Sequence, residues 1–172
     1  MNDSTAAVER AELPQRRHPP VNSIEDVIVF KLARLVGIND RAGHRWSEQL
    51  FDLSLNEWRM LALVQANAPV RAGDLAELML MDKSQLSRLI RSLSKKRLIK
   101  SMPDKDDARA IVIEVTSKGQ MLYEEVMAEV LRRNERVLEV LSPEEVAQFD
   151  RLLGRLIQHN LALLEAMQRA AD

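Results

Sequence analysis

Seven polar side chains fall close together in one short stretch of the chain: Ser84, Gln85, Ser87, Arg88, Arg91, Lys95 and Lys96. Gln presents a donor and an acceptor that match the edge of adenine, and Arg a fork that matches guanine, so Gln85 and Arg88 suit base edges in a major groove. Ser84 can serve a base or a phosphate. Arg91, Lys95 and Lys96 lie further along and suit phosphates, which give affinity without sequence information. The surroundings agree. Between Lys83 and Arg109 there are nine Lys or Arg against three Asp, so this stretch carries +6 and the rest of the −1 chain carries −7. A basic segment on an acidic body points to local anion binding, most often nucleic acid. The alternative is a solvated charged face.

A second group sits near the N-terminus. Arg34, Arg41 and His44 follow helical steps on nearly one face, with Gly37 between them and Arg45 adjacent. Steps of three and four would set these donors beside a position without a side chain. A carboxylate or a thioester-linked phosphate could bind there, with Trp58 as a wall. The competing reading is that Arg34 and Arg41 pair with acidic residues while Gly37 allows close helix packing.

Other chemistry is poorly represented. His18, His44 and His159 are far apart without metal-ligand spacing, and the cysteine count is zero, which removes disulfides, thiolate metal sites and thiol redox sensing. No metal and no cofactor are expected. HExxH, Gly-rich phosphate loops, Gly-x-Ser-x-Gly and paired-carboxylate helix motifs are all missing, so an enzyme is not expected. No apolar run reaches the length of a membrane span and the N-terminus has no apolar core of a signal peptide, so the expected location is cytoplasmic.

The elements that must position these groups are mostly helices. Five Gly and six Pro in 172 residues, three of the prolines in the first twenty, leave long stretches unpunctuated. Residues 1–22 read as a flexible polar arm. A long helix is predicted from about Ile24 to Leu50, with Ile28, Leu32, Leu35, Ala42 and Trp46 on one face. Ser54-Leu55-Asn56-Glu57 is a capping box opening a second helix to about Ala66 that buries Trp58 and Leu61. Asn67-Ala68-Pro69 breaks the chain before a short helix, Ala72 to Leu80. Asp82-Lys83-Ser84-Gln85 caps a fourth helix reaching about Arg97, with Leu86, Leu89, Ile90 and Leu93 inward and the seven polar residues outward. Two short helices with a tight turn make a helix-turn-helix pattern. Residues 98–102 and 110–115 read as strands joined by a polar turn, which would form a wing. Thr116-Ser117-Lys118-Gly119 caps a fifth helix to about Leu141, and Ser142-Pro143-Glu144-Glu145 a sixth to about Met167. The fold expected is mainly α with a small β-hairpin wing: a winged helix-turn-helix over 51–116, and a helical dimerisation region over 23–50 and 117–170. Helices one, five and six carry apolar stripes that one winged unit cannot cover, which predicts a homodimer.

Several linked stretches, within residues 24 to 168, resemble the MarR family of regulators. Leu53 to Leu61 looks like the family's opening of helix two, Asp74-Leu75-Ala76-Glu77 like its helix three, and Asp82 to Ile90 like its recognition helix. Asp107-Ala108-Arg109-Ala110 followed by Val115-Thr116-Ser117-Lys118-Gly119 resembles the wing signature. Ala108, Ser87 and Arg71 depart from the common pattern, Arg71 standing where a small hydroxyl usually caps helix three. The resemblance implies a transcriptional regulator, most often a repressor, that binds a pseudo-palindromic double-stranded operator. It implies that Arg109 enters the minor groove, held by Asp107. It also implies release by a small organic anion, such as an aromatic carboxylate or its coenzyme A thioester, bound between the dimerisation helices and the winged unit.

Overall fold

A computed structural model describes residues 20–107 and 110–171. The expected arm therefore lies outside the described residues over 1–19. Ser23 opens a capping box: its hydroxyl accepts from Glu25 and the Asp26 carboxylate takes the amides of Asn22 and Ser23. That box closes only a single 3-10 turn, Ile24–Asp26. Val27 is extended (φ −71°, ψ 124°), so the long helix α1 starts afresh and runs Ile28–Phe51 rather than from Ile24. Asp52 ends it in the left-handed conformation (φ 51°), which Asp tolerates better than most residues, and its amide reaches the carbonyls of Ser47 and Glu48.

Helix α2 (Leu55–Asn67) starts on Ser54, whose hydroxyl takes the Glu57 amide while the Glu57 carboxylate takes the Ser54 amide. Helix α3 (Ala72–Met79) has Arg71 at its N-cap with no side-chain hydrogen bond to the helix, and ends at left-handed Leu80. Asp82 then opens α4 (Lys83–Lys95) by accepting the amides of Ser84 and Gln85, both at 2.8 Å. Strands β2 (Ile99–Pro103) and β3 (Ile111–Val115) pair antiparallel from Ile99 opposite Val115 to Pro103 opposite Ile111. A third strand, β1 (Val70–Arg71), pairs with β3 and makes the sheet order β1-β3-β2. Two residues carry no alternation, so this strand exists only through its distant partner. Thr116 caps α5 (Ser117–Leu138) by accepting the Gly119 amide. Gly119 is there because a Cβ would overlap the carbonyl of Leu98. Helix α6 spans Pro143–Ala171 from the Ser142–Glu145 box.

The core lies where these pieces converge. Met60, Leu61 and Val64 of α2, Leu75 of α3, Leu86 and Leu93 of α4, Leu98 just before β2, Ile99 and Ile113 of the sheet and Val126 of α5 are all buried together. Each such side chain contributes roughly 1.5–3 kcal/mol relative to exposure. The expected inner face of α1 is different. Of Ile28, Leu32, Leu35, Ala42 and Trp46 only Trp46 is buried, and no described side chain of α6 is buried at all.

Candidate nucleic-acid interface and effector cleft

The outward side of α4 is built by the burial of its other side. Leu86 and Leu93 are locked in the core with Leu89 and Ile90 half-buried, leaving Ser84, Gln85, Ser87, Arg88, Arg91 and Lys95 exposed. At about 100° per residue, Ser84, Ser87, Arg88, Arg91 and Lys95 share about 100° of arc, and the exposed Gln85 lies about 60° beyond Arg88 at its edge. Arg91 Nε reaches the Ser87 carbonyl at 3.3 Å, which lays its guanidinium along the helix. The Asp82 carboxyl is held below its usual range, first by the Gln85 amide and then by Ser84, so the cap stays charged at the helix entry.

Lys96 does not belong to this outward set. It lies about 120° round the helix from Ser84, on the Ser92 side. Its ammonium turns inward to the Asp52 carbonyl and to Glu57 Oε2 at 3.4 Å. Lys100 is also engaged within the chain, 2.7 Å from Glu114 across the β2–β3 ladder. The basic stretch is therefore partly neutralised by its own fold; Arg88, Arg91 and Lys95 carry the charge of the α4 stripe, and Lys83, Arg97 and Lys105 are exposed outside it.

The wing tip is organised by Asp104. Its Oδ1 accepts the amides of Asp106 and Asp107, and its Oδ2 takes Arg71 Nε at 2.7 Å. The Arg71 contact comes first among those holding this carboxyl below its usual range. Arg71, a departure from the usual cap of α3, thus serves as a tie between β1 and the wing. Asp107 also closes the turn through its carbonyl, which accepts the Ala110 amide at 2.9 Å. Arg109, and with it the expected Asp107–Arg109 pair, lies outside the described residues.

A cleft of about 460 Å³ opens between α1, α2 and α5. Trp58 lines it, but Arg34, Arg41 and His44 do not; its cations are Arg59, Arg133 and Arg136. Helix geometry gives the reason. Gly43, Asn39 and Trp46 face the cleft, and Arg34, Arg41, His44 and Gly37 lie about 100–180° round α1 from Gly43. Arg34 stands in solvent 3.6 Å from Glu25, and nothing comes within 4 Å of a Cβ built on Gly37. Gly43 is the glycine that matters for packing: a Cβ there would meet Leu55 Cδ1 at 3.1 Å. Within the cleft the Arg133 guanidinium lies 4.8 Å over the Trp46 ring, with Nε on Glu129 at 2.9 Å. Arg59 pairs with Asp40 at 2.6 Å. Local spacing offers one hint of this site, Glu129 followed by Arg132 and Arg133 at helical steps. A second, more apolar cleft of about 940 Å³ separates Ile28 and Leu32 from Phe149, Leu152 and Leu156 of α6. Among the described residues no helix is long and apolar enough to cross a membrane.

Comparison with known proteins places these features. A family model described as the MarR family matches residues 51–110, the stretch from the end of α1 to the wing turn. The HTH-type transcriptional regulator FarR of Neisseria gonorrhoeae is 30% identical over 107 residues, covering 62% of this chain and 73% of the relative. Among solved structures, a MepR–DNA complex from S. aureus superposes with a TM-score of 0.66 at 22% identity, over 75% of this chain and 96% of that one. The PcaV regulator of Streptomyces coelicolor, in complex with its natural ligand, gives 0.66 at 17% identity, over 81% and 98%. At these identities the structures speak for the shared winged-helix fold.

Proposed function

This chain belongs to the MarR family and is a DNA-binding transcriptional regulator, and we propose that it works in the cytoplasm as a homodimeric repressor released by a small organic anion. The observation that carries the DNA part is the single outward stripe of α4, whose opposite face is fixed in the core. Gln85 and Arg88 read base edges in the major groove with Ser84 and Ser87 beside them, and Arg91 and Lys95 hold phosphates. From the wing, tied at Arg71–Asp104, Arg109 would enter the neighbouring minor groove with Asp107 holding its guanidinium, as the family resemblance implies. Residues 51–116 form the DNA-binding unit. Residues 23–50 and 117–170 form the dimerisation region, in which a second copy covers the open faces of α1 and α6. Two equivalent α4 helices then meet half-sites of a pseudo-palindrome about one helical turn apart.

The anion is held in the α1–α2–α5 cleft instead of at Arg34, Arg41 and His44. Arg59, Arg133 and Arg136 supply cationic donors, and Trp46 and Trp58 supply flat walls. Such a lining suits an aromatic carboxylate or its thioester. A solved relative in the same fold holds its natural ligand, which supports looking for one here.

Salt titration tests the DNA part. Binding to a selected duplex should weaken steeply with salt, and Lys95→Ala should lower that slope by about one per subunit. Arg88→Ala should cost about 1–3 kcal/mol per half-site and relax one base position. If both substitutions gave the same sequence profile, the division between reading and anchoring residues would fail.

A further inference from the structure

Glu57 does two jobs with one carboxylate. Its Oε2 takes the Ser54 amide at 2.7 Å, closing the capping box of α2. That local job needs no burial, yet the residue is only 6% exposed. Its Oε1 takes the hydroxyl of Ser92, on the inward side of α4 and 35 residues away. Lys96, one turn beyond Ser92, sets its ammonium on Glu57 Oε2 and on the carbonyl of Asp52, with the Asp52 carboxylate 3.6 Å away. Asp52 is the residue that ends α1. The end of α1, the first turn of α2 and the last turn of α4 therefore meet on one carboxylate and one ammonium.

We propose that Glu57 and Lys96 form an interhelical strut that sets the angle of α4 against the α1–α2 corner, and that Lys96 acts through Glu57 instead of on DNA. Leu86 and Leu93 anchor α4 in depth, but apolar contacts are non-directional and tolerate roll and slide. Hydrogen bonds to a fixed carboxylate do not. Burying a carboxylate is costly unless it is paired and fully hydrogen-bonded, so a group spent only on capping would be better left in water. Burial pushes the Glu57 carboxyl up, but the Ser92 hydroxyl, the Ser54 amide and Lys96 outweigh it and hold it below its usual range, so the strut is charged at neutral pH. Its position also matters. Leu55, Trp58 and Arg59, which flank Glu57 on α2, line the α1–α2–α5 cleft. The strut is thus the polar link between the wall of that cleft and α4. The inference rests on α4 being the helix that enters the groove.

The test uses the full-length protein, a duplex selected on it from a random pool, and a random duplex, each titrated at several salt concentrations. Glu57→Gln, Ser92→Ala and Lys96→Met should each lower the ratio of selected to random affinity, roughly two- to thirtyfold. The salt slope should stay at the parent value. The Glu57→Gln/Lys96→Met pair should be no worse than the worse single change, and Lys96→Arg should keep most of the ratio. A variant that merely unfolds in part loses both affinities equally; that result in all three single variants overturns the strut. So does a Lys96→Met protein whose salt slope falls by about one while Glu57→Gln matches the parent, because Lys96 is then a phosphate contact. Arg88→Ala separates the two levels. If it lowers the ratio while the three strut variants match the parent, the strut alone fails; if it leaves the ratio intact, the groove reading fails and the strut falls with it.

Discussion

The winged unit and the helical region are built from similar amphipathic helices, yet they finish their folding in different places. In the winged unit the apolar faces of α2, α3 and α4 close on one another and on the sheet, and Met60, Leu75, Leu93 and Ile113 are out of solvent within a single chain. In the helical region, Ile28, Val29, Leu35 and Val36 of α1 and Leu152, Leu156, Leu161 and Leu164 of α6 stay exposed. A surface that apolar and that contiguous marks an interface. The winged core thus closes within one chain, with Trp46 of α1 and Val126 of α5 completing it, whereas the helical region leaves an open apolar face that the proposed second copy would cover.

The sharpest way to break that comparison is to charge the open half. Leu152→Glu with Leu156→Glu should abolish dimerisation, measured by sedimentation, and with it operator binding. Were these residues ordinary surface leucines, the change would stay within about ±0.5 kcal/mol and the oligomeric state would not move. The parent's melting temperature should also rise with protein concentration, as for any dimer whose stability includes association.

The matching change in the closed half is Leu93→Ala, expected to cost about 2–5 kcal/mol through lost burial and a residual cavity. Its signature is different: a loss in the winged unit with the dimer retained at high concentration. A loss of dimerisation equal to that of the α6 variant would mean that the two regions fold as one.

How legible each half is in the sequence follows the same division. The Asp82 cap, the Leu86–Leu89–Ile90–Leu93 spacing and the stripe of Arg88, Arg91 and Lys95 are local signals, and the structure keeps them. Lys96 looks identical to Lys95 in composition, but it sits on another side of the helix and its partner is 39 residues away. Strand β1 exists through β3, more than forty residues on, and the use of Arg71 through Asp104, 33 residues on. The α1 cluster of Arg34, Arg41 and His44 shows the limit of periodicity. Spacing places three groups on one face, but which face of α1 meets α2 and α5 is decided by Gly43 and Trp46 packing there.

A smaller change sharpens the border between the halves. Arg133→Met should leave operator affinity close to the parent value while weakening the response to an aromatic carboxylate by about 1–3 kcal/mol of coupling. It removes a cation from the cleft and its stack on Trp46, and touches nothing on α4. Reciprocity requires operator DNA to weaken anion binding by the same factor in the parent, which calorimetry with and without the duplex can read. If Arg34→Ala blunted the response and Arg133→Met did not, the outward face of α1 would be the site.

The smallest expected effect separates a carboxylate wired between helices from one paired within a single helix. Glu57 in the winged unit and Glu129 on α5 are both held below the ordinary carboxylate value of 4.5, Glu57 against the upward push of burial by Ser92, Ser54 and Lys96, Glu129 chiefly by Arg132. A carboxyl whose folded value is depressed stabilises the fold above its unfolded value, and that contribution is lost as pH falls through the folded value. Stability from Glu57 should therefore be complete at pH 7, hold to about pH 5, and drain away below the ordinary value. Glu57→Gln should lower stability at pH 7 and flatten the acid limb of the melting curve. Glu129→Gln should do less at any pH, because its leading partner, Arg132, is open to water and salt, which screen the pair. Salt supplies the cross-check: raising it should erase the difference between Glu129 and Gln while leaving most of that between Glu57 and Gln. Equal acid limbs for the two variants would place both carboxylates on the surface and remove the electrostatic contrast between the two halves.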